Sequence, residues 1–354
     1  MFTCAECGAA LTAPVSRVVH PSYARSIYGN GVSMPVLMAE GTYSVDAEPF
    51  GPPWRKWNEI DDGYAEAVGV FAPVHALSCG TPGPILLAPG DAHGTVLIPE
   101  RNDGFCCGLD GRDGPNLACA GCRQEVGTRI DDCSLWQATW LEPSAVRRVP
   151  IGPARPVADW ESLAEERHST PPISADGRWN PRWEATVAVT LAHLVAASGG
   201  SPVTFPDGPA AEVFGRFLAG MLPADGPARR AVLAGPRLPV LDRAVDIAVV
   251  PQHPQTGEPW PVPPGVAAVP LAVDVWMHLA FRNGHPRLPA TGALPPGVER
   301  DDLLPPRALR PLYPVDQVFF HTLARLPAVR QPWLRAIHAR GSALYGPARR
   351  GGAA

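Results

Sequence analysis

The sequence predicts an α+β protein of 354 residues, with a mainly β front half and a mostly helical α+β back half. Three observations carry this. Up to about position 150 the apolar residues come in short β-branched runs between turn formers. Beyond about position 182 they recur at helical spacing. The composition includes 44 Pro and 35 Gly, which favours short elements joined by many loops. At this length two domains are expected: residues 1–150 as a β-rich domain, 151–181 as a Pro-rich linker, and 182–354 as a mostly helical α+β domain.

In the front half the strand candidates are Val15 to Val19, Gly41 to Val45, Val68 to Val74, Pro84 to Leu87, Thr95 to Ile98, Ser134 to Leu141 and Val146 to Val149. Turn signals separate them, among them Gly29-Asn30-Gly31, Asp62-Gly63, Pro89-Gly90-Asp91 and Asp103-Gly104. The linker holds Pro153, Pro156, Pro171, Pro172 and Pro181, with one short helical candidate at Ala158 to Arg167. Beyond it, Trp183, Val187, Leu191, Leu194 and Val195 line one stripe and Gly199-Gly200 supplies a stop, so Arg182 to Ser198 is the clearest helix. Ala210 to Leu222 is a second helix. Ala244 to Val250 and Val266 to Val273 are strand candidates, and Asp274 to Arg282 is a helix capped by its own Asp. Val315 to Leu326 and Ala328 to Leu344 form a terminal helical pair broken near Pro327.

Composition and patterning exclude several classes. Of the 30 basic residues only Lys56 is lysine, and it lies in Trp54-Arg55-Lys56-Trp57, so no Walker A loop exists. Met1 to Val15 carries Glu6 and two Cys in place of a basic start and an apolar stretch, which is not a secretory signal. No run reaches the roughly 18 apolar residues of a membrane span. The expected location is cytoplasmic, where eight Cys are metal ligands or free thiols before they are disulfides. Charge is uneven. Residues 1–150 hold 17 acidic and 10 basic side chains, whereas residues 317–354 hold six Arg and no acid. Such a tail could meet nucleic acid or an acidic surface; the simpler reading is a solvated helix face balancing the acidic front half.

The strongest chemical signal is a pair of knuckles, Cys4-Ala5-Glu6-Cys7-Gly8 and Cys119-Ala120-Gly121-Cys122. A C-x-x-C turn sets two thiolates about a tetrahedral edge apart and aims backbone N–H groups at the sulfurs, so two turns together make a four-sulfur site suited to structural Zn2+. The knuckles and their flanks resemble a zinc ribbon, on which the β-rich domain would then be built. The likeness departs from that family in one respect: residues 8–118 lie between the knuckles, where a ribbon has a short hairpin. Either the insertion forms a domain on top of the ribbon or the knuckles belong to different sites. The first is favoured, because Cys4 and Cys7 have no other four-ligand solution nearby.

Competing ligands are Cys107 and Cys133, which could join Cys119 and Cys122 in a local site, or Cys106 and Cys133 with a His in a second one. Alternatively Cys79, Cys106, Cys107 and Cys133 are small buried side chains. The stretch around Cys106 also resembles uncharacterised bacterial proteins, a likeness that implies no activity. No thioredoxin-like unit, H-E-x-x-H, deaminase-type zinc motif, G-x-S-x-G or S-x-x-K is present. A nucleophilic Cys106 or Cys107 with His75 or His93, and with Asp131 or Asp132 orienting it, rests on residue types alone. No catalytic residue is therefore assigned.

The functional expectation is a zinc-stabilised binding or scaffold protein acting through protein–protein contacts. An enzyme with a Cys/His site near Cys106 and Cys107 in an inter-domain cleft, and nucleic-acid binding through the Arg-rich tail, are the alternatives. The acidic front half repels phosphate and argues against the latter.

Overall fold

The computed structural model describes residues 1–28, 34–102, 104, 108–153, 155–166, 170, 172–173, 178–281 and 311–344. The turn signal at Gly29-Asn30-Gly31 lies outside them. The chain is mixed α/β and mainly β in its N-terminal half. Among the described residues the strands are β1 (Phe2–Cys4), β2 (Ser16–Arg17), β3 (Thr42–Val45), β4 (Trp54–Lys56), β5 (Ala76–Ser78), β6 (Ile85–Leu87), β7 (Thr95–Leu97), β8 (Leu117–Cys119), β9 (Glu125–Ile130), β10 (Ala138–Leu141), β11 (Val146–Arg148), β12 (Val203–Thr204), β13 (Arg229–Leu233), β14 (Ile247–Gln252) and β15 (Ala267–Ala272). The helices are α1 (Asp62–Ala67), α2 (Trp160–Glu166), α3 (Pro181–Ala197), α4 (Arg216–Met221), α5 (Val273–Phe281), α6 (Asp316–Arg325) and α7 (Pro332–Leu344). Two compact units result. The first comprises Met1–Ala158, Pro254–Gly257 and Phe320–Ala354, and the second Asp159–His253 and Glu258–Phe319.

The first unit is organised by a seven-stranded sheet in the order β2-β3-β6-β10-β9-β8-β7, with the pairs β1-β11 and β4-β5 as separate two-stranded sheets. Only β2 and β3 run parallel; the other neighbours are antiparallel. Its core gathers Phe2, Leu11, Tyr43, Ile85, Leu87, Leu117, Val126, Leu141 and Val146 around Cys4 and Cys119. Phe2 meets Tyr43 edge to face at 5.0 Å, and burying such side chains removes about 1.5 to 3 kcal/mol each of exposed apolar surface cost. Strands of three residues cannot hold themselves, so this shared core is what fixes them.

One expected strand is absent. Val68 to Val74 follows α1, which is capped at its start by Asp61 accepting from the Gly63 N–H at 2.8 Å. It is closed by Gly69 at φ 73°, with the Val70 N–H bonded to the Ala65 carbonyl and the Gly69 N–H to that of Glu66. That is a Schellman ending, so the apolar run buries Val70 and Ala72 as a turn rather than as a ladder.

The second unit holds a four-stranded sheet, β12-β13-β14-β15, parallel throughout. A parallel sheet needs cover on its faces. The stripe predicted for α3 is buried, including Trp183, Val187, Leu191, Leu194 and Val195. Thr190 on α3 donates to the Pro270 carbonyl of β15 at 2.9 Å. On α5, the Trp276 indole N–H reaches the Val249 carbonyl of β14 at 3.2 Å. The predicted helix at Ala210 to Leu222 opens as a widened π turn over Ala211–Gly215 before α4. The terminal pair breaks at Pro327 as expected, with a 3-10 turn over Pro327–Arg330 before α7.

Candidate metal centre

Cys4 is the last residue of β1 and Cys119 the last of β8, so each knuckle is a turn leaving the end of a short strand. The two turns have the same backbone hydrogen bonds. The Cys4 N–H donates to the Ala9 carbonyl at 2.8 Å, and the Cys119 N–H to that of Gln124 at 2.8 Å. In return the Gly8 N–H donates to the Cys4 carbonyl at 3.0 Å and the Arg123 N–H to the Cys119 carbonyl at 2.9 Å. The residue after the second cysteine is left-handed in both, Gly8 at φ 73° and Arg123 at φ 65°.

Two sets of contacts bring these turns together. On one side β1 pairs with β11, placing Cys4 opposite Val146, and the Ala5 N–H donates to the Ala145 carbonyl. On the other, Thr12 bridges to Ala92 and the Ala13 N–H donates to the Asp91 carbonyl. The chain from Asp91 then passes Gly94 into β7, which pairs with β8 so that Thr95 faces Cys119. The Ala120 N–H closes the circuit on the Gly94 carbonyl at 2.9 Å. Thus the stretch after the first knuckle and the stretch before the second are laced through residues 91–94.

The outcome is that the sulfurs of Cys4, Cys7, Cys119 and Cys122 all lie within 4.8 Å of one another. Cys4 and Cys122 are 3.6 Å apart, as are Cys7 and Cys119. A zinc–sulfur bond of about 2.3 Å implies a tetrahedral edge of about 3.8 Å, so the spacing fits a four-coordinate ion. Cys4 and Cys119 are buried, while Cys7 and Cys122 face solvent.

The electrostatics favour a cation as well. Burial opposes ionisation of the Cys119 thiol, but the N–H groups of Cys122 and Gly121 and the neighbouring Cys7 and Cys122 thiols outweigh it, lowering its pKa to about 7. At Cys122 the Gln124 N–H favours the thiolate, yet desolvation and the three neighbouring sulfurs push the pKa up to about 12. Ionising one thiol therefore opposes ionising its neighbour, which keeps the proton it shares with the charged sulfur. A divalent cation removes that opposition, and four soft sulfur donors are the set that selects zinc or iron over magnesium or calcium.

Other candidates fall elsewhere. Cys106 and Cys107 lie outside the described residues. Cys79 and Cys133 are half-buried and do not belong to the four-sulfur cluster. His93 lies on the surface beside the Gly90 carbonyl and His75 is exposed. Asp131 faces Arg129 at 3.8 Å, and Asp132 accepts from the Ser134 N–H and hydroxyl. In the basic terminal segment, Arg325 pairs with Glu48, Arg330 pairs with Glu66 and stacks on the Phe71 ring, and Arg335 donates to the Phe71 carbonyl. Arg349 and Arg350 lie outside the described residues. Among the described residues no helix is long and apolar enough to cross a membrane.

The first unit also contains a polar cluster that residue spacing did not reveal. Asp46, 3% exposed, holds the Arg25 guanidinium at 2.8 Å between the rings of Phe50 and Trp140, 3.4 and 3.9 Å away. His20 bonds the Ser44 hydroxyl at 3.0 Å and lies 3.8 Å from Asp46. The residue types are those of a hydrolytic triad, but Ser44 is fully buried on β3 and the imidazole is 3.8 Å from the carboxylate, so this is packing. Compared with known proteins, the chain matches no family model, no curated protein and no solved structure.

Proposed function

We propose that the chain is a zinc-stabilised binding or scaffold protein, acting through protein–protein contacts in the reducing setting of a cytoplasm. Cys4, Cys7, Cys119 and Cys122 hold one structural Zn2+ in a ribbon-like centre that fastens the first unit. The observation that supports this most is the composition of the ligand set: four sulfurs of one chain within 4.8 Å. A zinc that performs chemistry keeps one position for water or substrate, whereas a structural zinc takes all four ligands from the protein. With the ligands at strand ends, ion binding becomes folding free energy for strands too short to persist alone.

Elemental analysis of the purified protein tests this reading. One zinc per chain is expected in the wild type and in Cys106→Ser, and none in Cys4→Ser or Cys122→Ser. Zinc retained in the two latter variants, or absent from the wild type expressed with zinc in the medium, refutes it.

A further inference from the structure

The stretch between β11 and α2 holds an unusual pattern. Pro150, Pro153 and Pro156 recur at intervals of three, the repeat of a polyproline II helix, which advances about 9 Å per turn with its backbone open to water. Every described residue from Arg147 to Val157 is exposed, including the large apolar side chains of Val149, Ile151 and Val157 at 38, 49 and 61%. Ala154 lies outside the described residues.

Both ends of the stretch are tied down. The Val149 N–H donates to the Met1 carbonyl at 2.9 Å, extending the β1-β11 ladder. At the other end the Gln255 side-chain amide bridges the chain, donating to the Pro156 carbonyl at 3.0 Å and accepting from the Ala158 N–H at 2.8 Å. Gln255 belongs to the same unit. The residues between form a strap held against fraying, which lowers the ordering cost of capturing it. Proline also sets φ and drives the residue before it to extended backbone, so Arg155 is pre-set. Gly152 escapes this rule at φ 70° and bends the strap between Pro150 and Pro153, leaving Pro153 and Pro156 as the spaced pair beyond the bend.

Charge specifies the partner. Arg147, Arg148 and Arg155 are exposed, and no acidic residue occurs between Glu142 and Asp159. We infer that this strap is a docking peptide for a protein domain whose groove is lined by aromatic side chains and rimmed by acidic ones. Pro153, Pro156 and Val157 sit against the rings, and Arg155 pairs with the rim. The inference rests on the proposed binding role of the protein and names its contact.

The test titrates the full zinc-loaded chain with a panel of purified SH3 and WW domains, followed by calorimetry. At least one domain with an acidic rim is expected to bind. The Pro153→Ala/Pro156→Ala double variant is expected to weaken that binding at least about tenfold, with Arg155→Ala weakening it and flattening its salt dependence. Thermal midpoint and zinc content should not change, because the altered side chains are exposed. Should the double variant fold poorly, Arg155→Ala alone decides. Binding by none of the domains, or binding that survives these substitutions, overturns the strap. A chain that keeps its zinc yet fails this titration leaves the zinc-stabilised reading intact, whereas a zinc-free chain that binds through the strap refutes the zinc reading alone.

Discussion

Gly94 and Ala10 approach so closely that a Cβ on Gly94 would stand 2.2 Å from the Ala10 carbonyl oxygen. The contact is backbone on backbone, and Gly94 is itself left-handed at φ 65°. It lies where the chain after the first knuckle meets the chain entering β7, so it governs how near the two cysteine pairs can come.

Gly94→Ala should therefore force these segments apart. We expect a loss of about 2 to 3 kcal/mol by chemical denaturation, together with weaker zinc retention against a competing chelator. An unchanged chelator midpoint would show that the knuckles are positioned by β1-β11 and β8-β9 alone.

The matched turns predict opposite responses at equivalent positions. Arg123 occupies the left-handed place that glycine fills in the first knuckle, so Arg123→Gly should stabilise the protein by about 0.5 to 1 kcal/mol. Gly8→Val puts a β-branched residue at φ 73° and should cost about 1 to 2 kcal/mol. Denaturation midpoints check both, and equal signs would contradict the matched geometry.

Asp46 is the carboxylate hydrogen-bonded to Arg25, and the guanidinium is enclosed by two rings. Asp46→Ala leaves that cation without this partner and should destabilise by about 2 to 4 kcal/mol. In the double variant Arg25→Met/Asp46→Ala much of that loss should return, since a neutral side chain of similar length fills the gap between Phe50 and Trp140. A double-mutant cycle measures the coupling.

Acid should weaken the fold in two windows. Burial lowers the imidazole pKa of His193; burial lowers that of His20 against an opposing Asp46, and burial and then Arg335 lower that of His338, all from an ordinary 6.5. The unfolded chain then binds more protons than the folded one below 6.5, so stability falls as pH drops through that value. Glu48 behaves likewise lower down. Burial opposes its charge, but His321 and Arg325 outweigh burial and bring its pKa from 4.5 to about 2, so its contribution is present above 4.5 and lost toward 2. Thermal midpoints should decline from pH 7 to 5 and again below 4.5. His193→Gln should shrink the first decline and Glu48→Gln the second; a flat profile between pH 7 and 5 contradicts the assignment to buried histidines.

How much the residues alone reveal depends on how locally each feature is encoded. The knuckles are legible because each C-x-x-C is a local pattern of residue types at fixed spacing, whereas the meeting of Cys4 and Cys7 with Cys119 and Cys122 is not written in that spacing, since residues 8–118 separate them. Helix α3 is legible because five buried side chains repeat at its period. Strands such as β1 and β8 are not, since each runs straight into a knuckle with no apolar run of its own bounded by turn formers. The conformation of β1 comes from a partner more than a hundred residues away, Arg148 facing Phe2. Val68 to Val74 misleads because its composition suits a strand, while Gly69 and the helix before it decide otherwise. The Asp46 cluster gathers residues 20, 25, 44, 46, 50 and 140, with no motif to announce it.

The pairing of β1 with β11 has a consequence for synthesis. A ribosome releases Cys4 and Cys7 long before it has made Cys119, Cys122 or the strand around Val146 that completes the sheet. Until then the early thiols wait in a nascent chain without their partners, open to oxidation or to a mismatched ion. Shortening the stretch between the two knuckles would shorten the wait.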